Sequence, residues 1–337
     1  MARSTDGRRR LAWIMGVVSL ALLPVVAAGV ALRVQYTGQP SPSARSTGHD
    51  ALWMGHAWVD GRRGPKDMAA LGRLVNGSGI RDVYVHVGPL ADDGSLDPAL
   101  RPAARTFLQR FRTAIPGVRV SAWLGNVVGA DRLNLERLAT RQRVASSALA
   151  VLGDGFDGVH YDLEPIRDGD AGFLDLLDRT AAAIAPRGAV LSVSADQVEP
   201  LPGMAEAARA FTGRPQFWSV RYLRMVAGHV NQIAIMSYDT ALPVGSLYGG
   251  FVARQTRLAL AAVGDDAELL MGVPAFHTDD LGHHESAETV AAAVRGVRLA
   301  VSGHPRRAPF GVALYVDFAA TPEDWRAYHR DWVDPRS

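Results

Sequence analysis

Short apolar runs rich in β-branched residues alternate with stretches of helical periodicity from about residue 51 onward. This alternation predicts an α/β fold, and the number of βα units is that of a closed (β/α)8 TIM barrel. A doubly wound open sheet is the alternative, but no glycine-rich dinucleotide turn follows the first predicted strand. The predicted strands are residues 52–59, 82–87, 119–124, 158–163, 189–194, 232–238, 269–276 and 311–318. The predicted helices lie near residues 66–75, 98–114, 133–152 and 171–184, in the sequence up to about 228, and near 252–263, 287–301 and 322–332.

The first fifty residues follow a different pattern. A basic tip, residues 1–10, precedes residues 11–32, which carry no charge and are long enough to cross a hydrocarbon core of about 30 Å as a helix. The charge bias places the tip in the cytoplasm and the remaining chain outside. We expect either a single-pass transmembrane anchor in the cell membrane or a signal peptide cleaved near residues 26–28, with secretion of the product. Residues 33–50, rich in Pro and Ser, are predicted to be a flexible linker, and residues 51–337 to be the barrel domain.

Composition narrows the class of partner. The chain has 337 residues, of which 48% are hydrophobic, enough for a large core. The formal charge of +2 depends on four arginines in the basic tip, so the folded part is close to neutral and nucleic-acid binding is not expected. The chain contains no cysteine and therefore no disulfide, which a domain of this size does not need.

Candidate chemistry is concentrated in the fourth predicted strand. Strand alternation places His160, Asp162 and Glu164 on one face, and the apolar residues between them on the face that packs against helices. Three ionisable side chains then point into the barrel, with Glu164 at the carboxyl end, where barrel enzymes carry their active sites. Neighbouring carboxylates raise each other's pKa, so Glu164 is the candidate proton donor. A structural hydrogen-bond cluster is the alternative interpretation.

This strand resembles the DGxDxDxE signature of family 18 glycoside hydrolases, the chitinase-like TIM barrels. Asp157, Gly158, Asp162 and Glu164 match, and His160 replaces the middle aspartate. Three further segments resemble the family in order and spacing. Residues 235–239 resemble its sixth-strand M-x-Y-D segment, residues 270–276 its seventh-strand segment, and residues 311–315 its closing strand, with tyrosine in place of tryptophan.

The resemblance implies a substrate-assisted mechanism. Glu164 would protonate the glycosidic oxygen, Asp162 would orient the N-acetyl group that attacks the anomeric carbon, and Tyr238 would donate to its carbonyl. Met236 and Asp239 would line the same subsite, and Tyr315 would form its aromatic floor. His160 would contact this site either as a neutral donor to Asp162 or as a cation that keeps Asp162 ionised. No metal or cofactor is implied.

Other candidates follow from position alone. Trp58 and Trp123 lie near strand ends, where flat aromatic rings stack on sugars, although a core role is the alternative. Asn126, His86 and Asp196 could hydrogen-bond a ligand. The loop after the seventh strand is rich in His and Asp but has no standard zinc spacing, so we expect no metal there and a solvated, glycan-facing loop.

The sequence thus predicts an exported glycoside hydrolase that cleaves β-linked N-acetylhexosamine glycans, with chitin-, peptidoglycan- and poly-N-acetylglucosamine-like polymers as candidate substrates. A lectin-like carbohydrate-binding barrel with little or no turnover is the alternative. A glycosidase with a protein nucleophile would need a second carboxylate about 5 Å from Glu164. The short connection between residues 276 and 311 predicts a shallow, open groove.

Overall fold

Eight parallel strands form a closed barrel in chain order. The structure, a computed structural model, describes residues 26–201, 203, 204, 206, 217–304 and 309–335. The last strand returns to the first through the pair Leu52 and Leu314, which confirms the predicted barrel. The strands are β1 Asp50–Met54, β2 Ile80–Pro89, β3 Arg119–Val127, β4 Gly158–Glu164, β5 Val190–Ala195, β6 Gln232–Met236, β7 Glu268–Pro274 and β8 Phe310–Tyr315.

A helix follows each strand and covers the outside of the barrel. Several helices begin at residues that favour a start: Asp170 and Thr289 cap the first turn with a side-chain oxygen, and Thr321 precedes Pro322 in a capping box. The predicted helical sequence before residue 220 lies partly outside the described residues. The helices are α1 Pro65–Val75, α2 Ala104–Ala114, α3 Leu138–Leu152, α4 Ala171–Ile184, α5 Val220–Ala227, α6 Gly245–Val263, α7 Val290–Val301 and α8 Pro322–Tyr328.

Four strands, β1, β6, β7 and β8, end earlier than the sequence predicts. A 3-10 turn, His56–Trp58, replaces the predicted end of the first strand. In the other three, apolar residues that follow the last ladder position remain buried, namely Tyr238, Ala275 and Val316. These residues fill the mouth of the barrel. The apolar sequence therefore continues past the end of each strand, and this is why the predicted strands are too long.

The barrel interior is polar at its amino-terminal end. Arg119 donates to Asp82 Oδ1 at 2.6 Å and to Glu268 Oε2 at 2.8 Å, and Gln232 Nε2 donates to both carboxylates. Buried charges of this kind need such pairing to be tolerated. Above this layer, the Tyr84 ring stacks on His160 at a centroid distance of 3.8 Å. The interior therefore presents layered polar and aromatic side chains that support the site above them.

The chain before β1 packs on the outside of the barrel. Residues 26–35 are helical, and we call them the N-terminal helix. Residues 33–50, predicted to be a flexible linker, make hydrogen bonds with the barrel domain, which a freely flexible linker would not make. Arg298 Nε donates to Ala44 O at 2.8 Å, and Ser46 N donates to Trp332 O at 2.9 Å. Within the described residues no helix is long and apolar enough to cross a membrane, and most of the segment 11–32 lies outside them.

Candidate active site

A cleft of about 450 Å³ opens at the carboxyl ends of the strands. All parallel strands end at this edge, so side chains that are distant in sequence meet there. Its lining includes Leu32, Glu164, Asp196, Met236, Tyr238 and Asp239.

Glu164 and Asp162 occupy the end of β4. Glu164 is exposed to solvent in the cleft, and the protein packed around its carboxyl desolvates it in part. This desolvation and the charge of Asp162 raise the pKa of Glu164 well above its usual value. Burial also raises the pKa of Asp162, and Trp123 Nε1 donates to Asp162 Oδ2 at 2.9 Å. The carboxyl at the strand end is therefore the one expected to hold a proton near neutral pH.

Asp196 follows β5 and lies in the same cleft. Burial raises the pKa of Asp196 to about 7, and the negative charge of Asp162 adds to the shift. The charge of Asp196 in turn contributes to the raised pKa of Glu164. The ionisation of Glu164 is thus electrostatically linked to that of Asp162 and Asp196.

We expect Asp196→Asn to lower the pKa of Glu164, because a negative neighbour is removed. An acid catalyst loses activity as pH rises through its pKa, so the basic limb of the kcat/KM profile should move to lower pH by up to about one unit. The measurement is the pH profile of wild type, Asp196→Asn and the exposed control Asp131→Asn. A basic limb in the same place for all three proteins would contradict this coupling.

Two tyrosines form an aromatic wall beside Glu164. Tyr238 is 6% exposed and stacks on Tyr315, with ring centroids 5.3 Å apart and an interplanar angle of 23°. Gln197 Nε2 donates to Tyr238 O at 2.6 Å and holds the start of the loop after β6. Met236, the last residue of β6, is half-buried at the edge of the same cleft.

His160 lies below the cleft and does not contact it. The residue is fully buried, two positions before Asp162 on β4, so its prediction as a substrate contact is wrong. Trp53 Nε1 donates to His160 Nε2 at 3.0 Å, which leaves Nδ1 as the donor to Ser192 Oγ at 2.8 Å. Burial lowers the pKa of His160 to about 3, so the ring is neutral, and its hydrogen bonds go to Trp53 and the β5 serines. Neither predicted interaction with Asp162 is formed.

Three other residues that were predicted to contact a ligand form hydrogen bonds within the protein instead. Trp58 is buried, and its Nε1 donates to Asp317 Oδ2 at 2.6 Å, so it does not present a free ring to a sugar. Trp123 is 8% exposed and positions Asp162 through its indole nitrogen. Asn126 donates to Leu90 O at 2.8 Å and accepts from Val127 N, so its amide holds a loop. Burial at a strand end depends on loop packing, which the residue type alone does not reveal.

The structural role of Trp58 is tested by the variant Trp58→Phe. The ring volume is largely kept but Asp317 loses a donor, so we expect a stability loss of about 1–3 kcal/mol with an unchanged KM for a glycan substrate. Thermal unfolding and steady-state kinetics measure the two effects. A several-fold rise in KM at unchanged stability would restore Trp58 as a sugar contact.

A network that the sequence did not reveal supports Asp239. This residue and Ala241 have positive φ values, 58° and 56°, which are unusual without glycine. His283 Nδ1 lies 3.0 Å from Asp239 Oδ1 and 3.5 Å from Glu288 Oε2. Glu288 Oε1 accepts from both the backbone nitrogen and the hydroxyl of Thr240. The network therefore holds an uncommon backbone conformation next to the cleft.

The same three residues could hold a divalent cation. One ligand atom from each of Asp239, His283 and Glu288 lies within 4.8 Å of the others. The hydrogen-bond distance between His283 and Asp239 also suits a direct ion pair, so the set does not require a metal. The histidine-rich loop after β7 was recognisable in the sequence and contains both His283 and Glu288, but their partner Asp239 comes from the loop after β6, at no fixed spacing.

Comparison with solved structures identifies the fold. No family sequence model and no curated protein sequence matches the chain. Among solved structures, a chitinase from Chromobacterium violaceum shares 15% identity with a TM-score of 0.58, covering 84% of this chain and 98% of its own. The spore cortex-lytic enzyme SleL of Bacillus cereus shares 10% identity with a TM-score of 0.59, covering 86% and 75%. A Group IV chitinase from Ostrinia furnacalis shares 17% identity with a TM-score of 0.52, covering 80% and 93%. At these identities the likeness shows a common barrel fold.

Proposed function

We propose that this chain is an exported glycoside hydrolase that cleaves β-linked N-acetylhexosamine glycans. One observation carries the proposal: Glu164 ends β4 in an open cleft with a strongly raised pKa, beside Asp162 and Tyr238. A binding protein has no need of a proton donor there. The shared fold with chitinases and a cortex-lytic enzyme supports the same reaction class.

In the first proposed step, Glu164 gives its proton to the glycosidic oxygen as the bond from that oxygen to the anomeric carbon breaks. The carbonyl oxygen of the substrate's own acetamido group forms the new bond to the anomeric carbon. Asp162 orients this group and stabilises its positive charge. Trp123 keeps Asp162 in place through the 2.9 Å hydrogen bond.

In the second step, a water molecule replaces the acetamido oxygen at the anomeric carbon. Glu164, now a carboxylate, takes the proton from that water and returns to its starting state. Two displacements at the same carbon retain the β configuration. Tyr238 and Tyr315 give the sugar ring an aromatic wall, and Met236 and Asp239 line the same subsite.

The second candidate function is a carbohydrate-binding barrel with little turnover. Its support is His160, a neutral buried ring where the resembling family carries an aspartate next to the catalytic pair. A third mechanism, with a protein nucleophile, is kept open by the acidic residues around Glu164. It differs in its substrate requirement, because such an enzyme would also cleave a glucosamine polymer that lacks acetyl groups.

Export is proposed from the sequence. Residues 11–32 without charge, after an arginine-rich tip, suit a single-pass anchor with the barrel outside the cell. The alternative is a cleaved signal peptide and a secreted barrel. The two alternatives are distinguished by expressing the chain with its full N-terminus and measuring the molecular mass of the membrane-bound and secreted protein. An anchor leaves a membrane-bound protein of full mass, and a cleaved signal peptide gives a shorter secreted protein.

The test of the proposed reaction is release of nitrophenol from a nitrophenyl N,N′-diacetylchitobioside by the full chain in detergent, together with calorimetric binding of N-acetylglucosamine oligosaccharides. Turnover with binding is the expected result. Binding without turnover would favour the lectin-like function, and the absence of both would exclude N-acetylhexosamine glycans as ligands.

A further inference from the structure

The N-terminal helix joins the barrel at the rim of the cleft. Leu32 is 6% exposed and lines the cleft together with Tyr238 and Asp239. Continuing from this helix, Tyr36 packs under Arg295, whose guanidinium carbon lies 5.1 Å from the ring centroid. Arg295 also donates to Gly38 O at 2.8 Å. The helix is thus part of the wall of the site and is not held at the end of a free tether.

Glycine in α6 makes this close approach possible. A Cβ added at Gly250 would lie 2.0 Å from Leu32 O, and the three nearest atoms all belong to Leu32. The backbone of the N-terminal helix therefore rests directly on α6 at this point. By contrast, a Cβ added at Gly245, on the same helix, would have only ordinary contacts, the nearest at 3.5 Å. Gly250 is a position at which docking can be changed with little disturbance of the barrel itself.

The outer face of the N-terminal helix is apolar. Val26, Val30 and Val34 recur every fourth residue, so they share one face. They are 58–60% exposed. Leu281, which lines the same cleft as Leu32, is 97% exposed. Exposed apolar side chains therefore lie both on the helix and on the neighbouring rim of the cleft, which is a composition typical of a surface that contacts a partner.

The sequence indicates what covers this surface. Residues 11–25 precede the helix and contain no charged residue. If this segment forms the proposed single-pass anchor, a membrane helix that begins near residue 11 would cross about 30 Å in about 20 residues and would leave the bilayer next to Leu32. That is the residue at which the chain meets α6, which leaves no length of free chain between bilayer and barrel.

We infer that the outer face of the N-terminal helix and Leu281 contact the lipid bilayer, so that the cleft opens at the membrane surface. Docking on Gly250 fixes this orientation of the barrel. A substrate consequence, which rests on the proposed function, is that the cleft reaches glycan strands held close to the outer face of the membrane.

The test uses the natural absence of cysteine. Single variants Val34→Cys, Leu281→Cys and Thr113→Cys, the last at the opposite end of the barrel, carry a fluorophore in the full chain. The protein is reconstituted in vesicles of phosphatidylethanolamine and phosphatidylglycerol that contain a nitroxide-labelled headgroup lipid. We expect several-fold stronger quenching at positions 34 and 281 than at 113. Adding Gly250→Ala should remove quenching at 281 and keep it at 34, whereas Gly245→Ala should change neither.

Equal quenching at 281 and 113, or quenching at 281 that is insensitive to Gly250→Ala, would overturn the inference. So would energy transfer between labelled copies without lipid quenching, which would identify a second copy of the chain as the occupant. Because the readout is independent of hydrolysis, its failure is distinguishable from failure of the proposed function.

Discussion

Glu164→Gln should lower kcat by about 10²–10⁴ and leave glycan affinity nearly unchanged, because the amide keeps the shape of the side chain but cannot donate the proton. The raised pKa of Glu164 is the physical basis, since it keeps the carboxyl protonated at a pH where an ordinary glutamate is ionised. The measurements are turnover of a chromogenic N-acetylglucosaminide and calorimetric affinity for the unlabelled oligosaccharide.

A matched control is Glu285→Gln, an exposed glutamate in the loop after β7. Glu285→Gln should keep the wild-type kcat. The fall in kcat of Glu164→Gln can then be assigned to the Glu164 carboxyl and not to a change of net charge near the cleft. Unchanged kcat in Glu164→Gln would remove Glu164 from the role of catalytic acid.

Asp162→Asn should have two effects that occur together. It should lower kcat by about 10²–10³, because a neutral amide stabilises the positive charge of the attacking acetamido group poorly. It should also move the basic limb of the pH profile to lower pH, because the charge of Asp162 helps raise the pKa of Glu164. The measurement is the kcat/KM profile with pH.

The control for Asp162 is Trp123→Phe, which removes the indole donor but keeps both carboxyls. It should have a smaller effect on kcat, since Asp162 is then less well held but still charged. If Asp162→Asn lost activity with no shift of the basic limb, the electrostatic link between the two carboxyls would be wrong.

The barrel and the acidic strand were predictable because both depend on local alternation. The Tyr161 hydroxyl forms a hydrogen bond with Thr180 of α4 on the outer side of the strand, while His160 faces the barrel interior. This is the alternation with period two that a β-strand requires. The pKa shift of Glu164 was also predictable in direction, because Asp162 is two residues away on the same face.

The rest of the site depends on loop packing and on contacts between distant segments. Trp58 lies in a 3-10 turn beyond the end of β1, and the partner of its indole nitrogen is Asp317, more than 250 positions later in the chain. The support of Asp239 by His283 and Glu288 has no sequence spacing that marks it. The contact of Leu32 with Gly250 likewise joins the predicted anchor to the sixth helix, and a pattern of hydrophobic residues does not encode such a pairing.

The most direct measurement is the ¹H NMR spectrum of the products formed from an N-acetylglucosamine oligosaccharide by the full chain. We expect cleavage in which the β anomer of the new reducing end appears first and then equilibrates. Appearance of the α anomer first, or no cleavage of an oligosaccharide that binds, would be incompatible with a substrate-assisted retaining hydrolase.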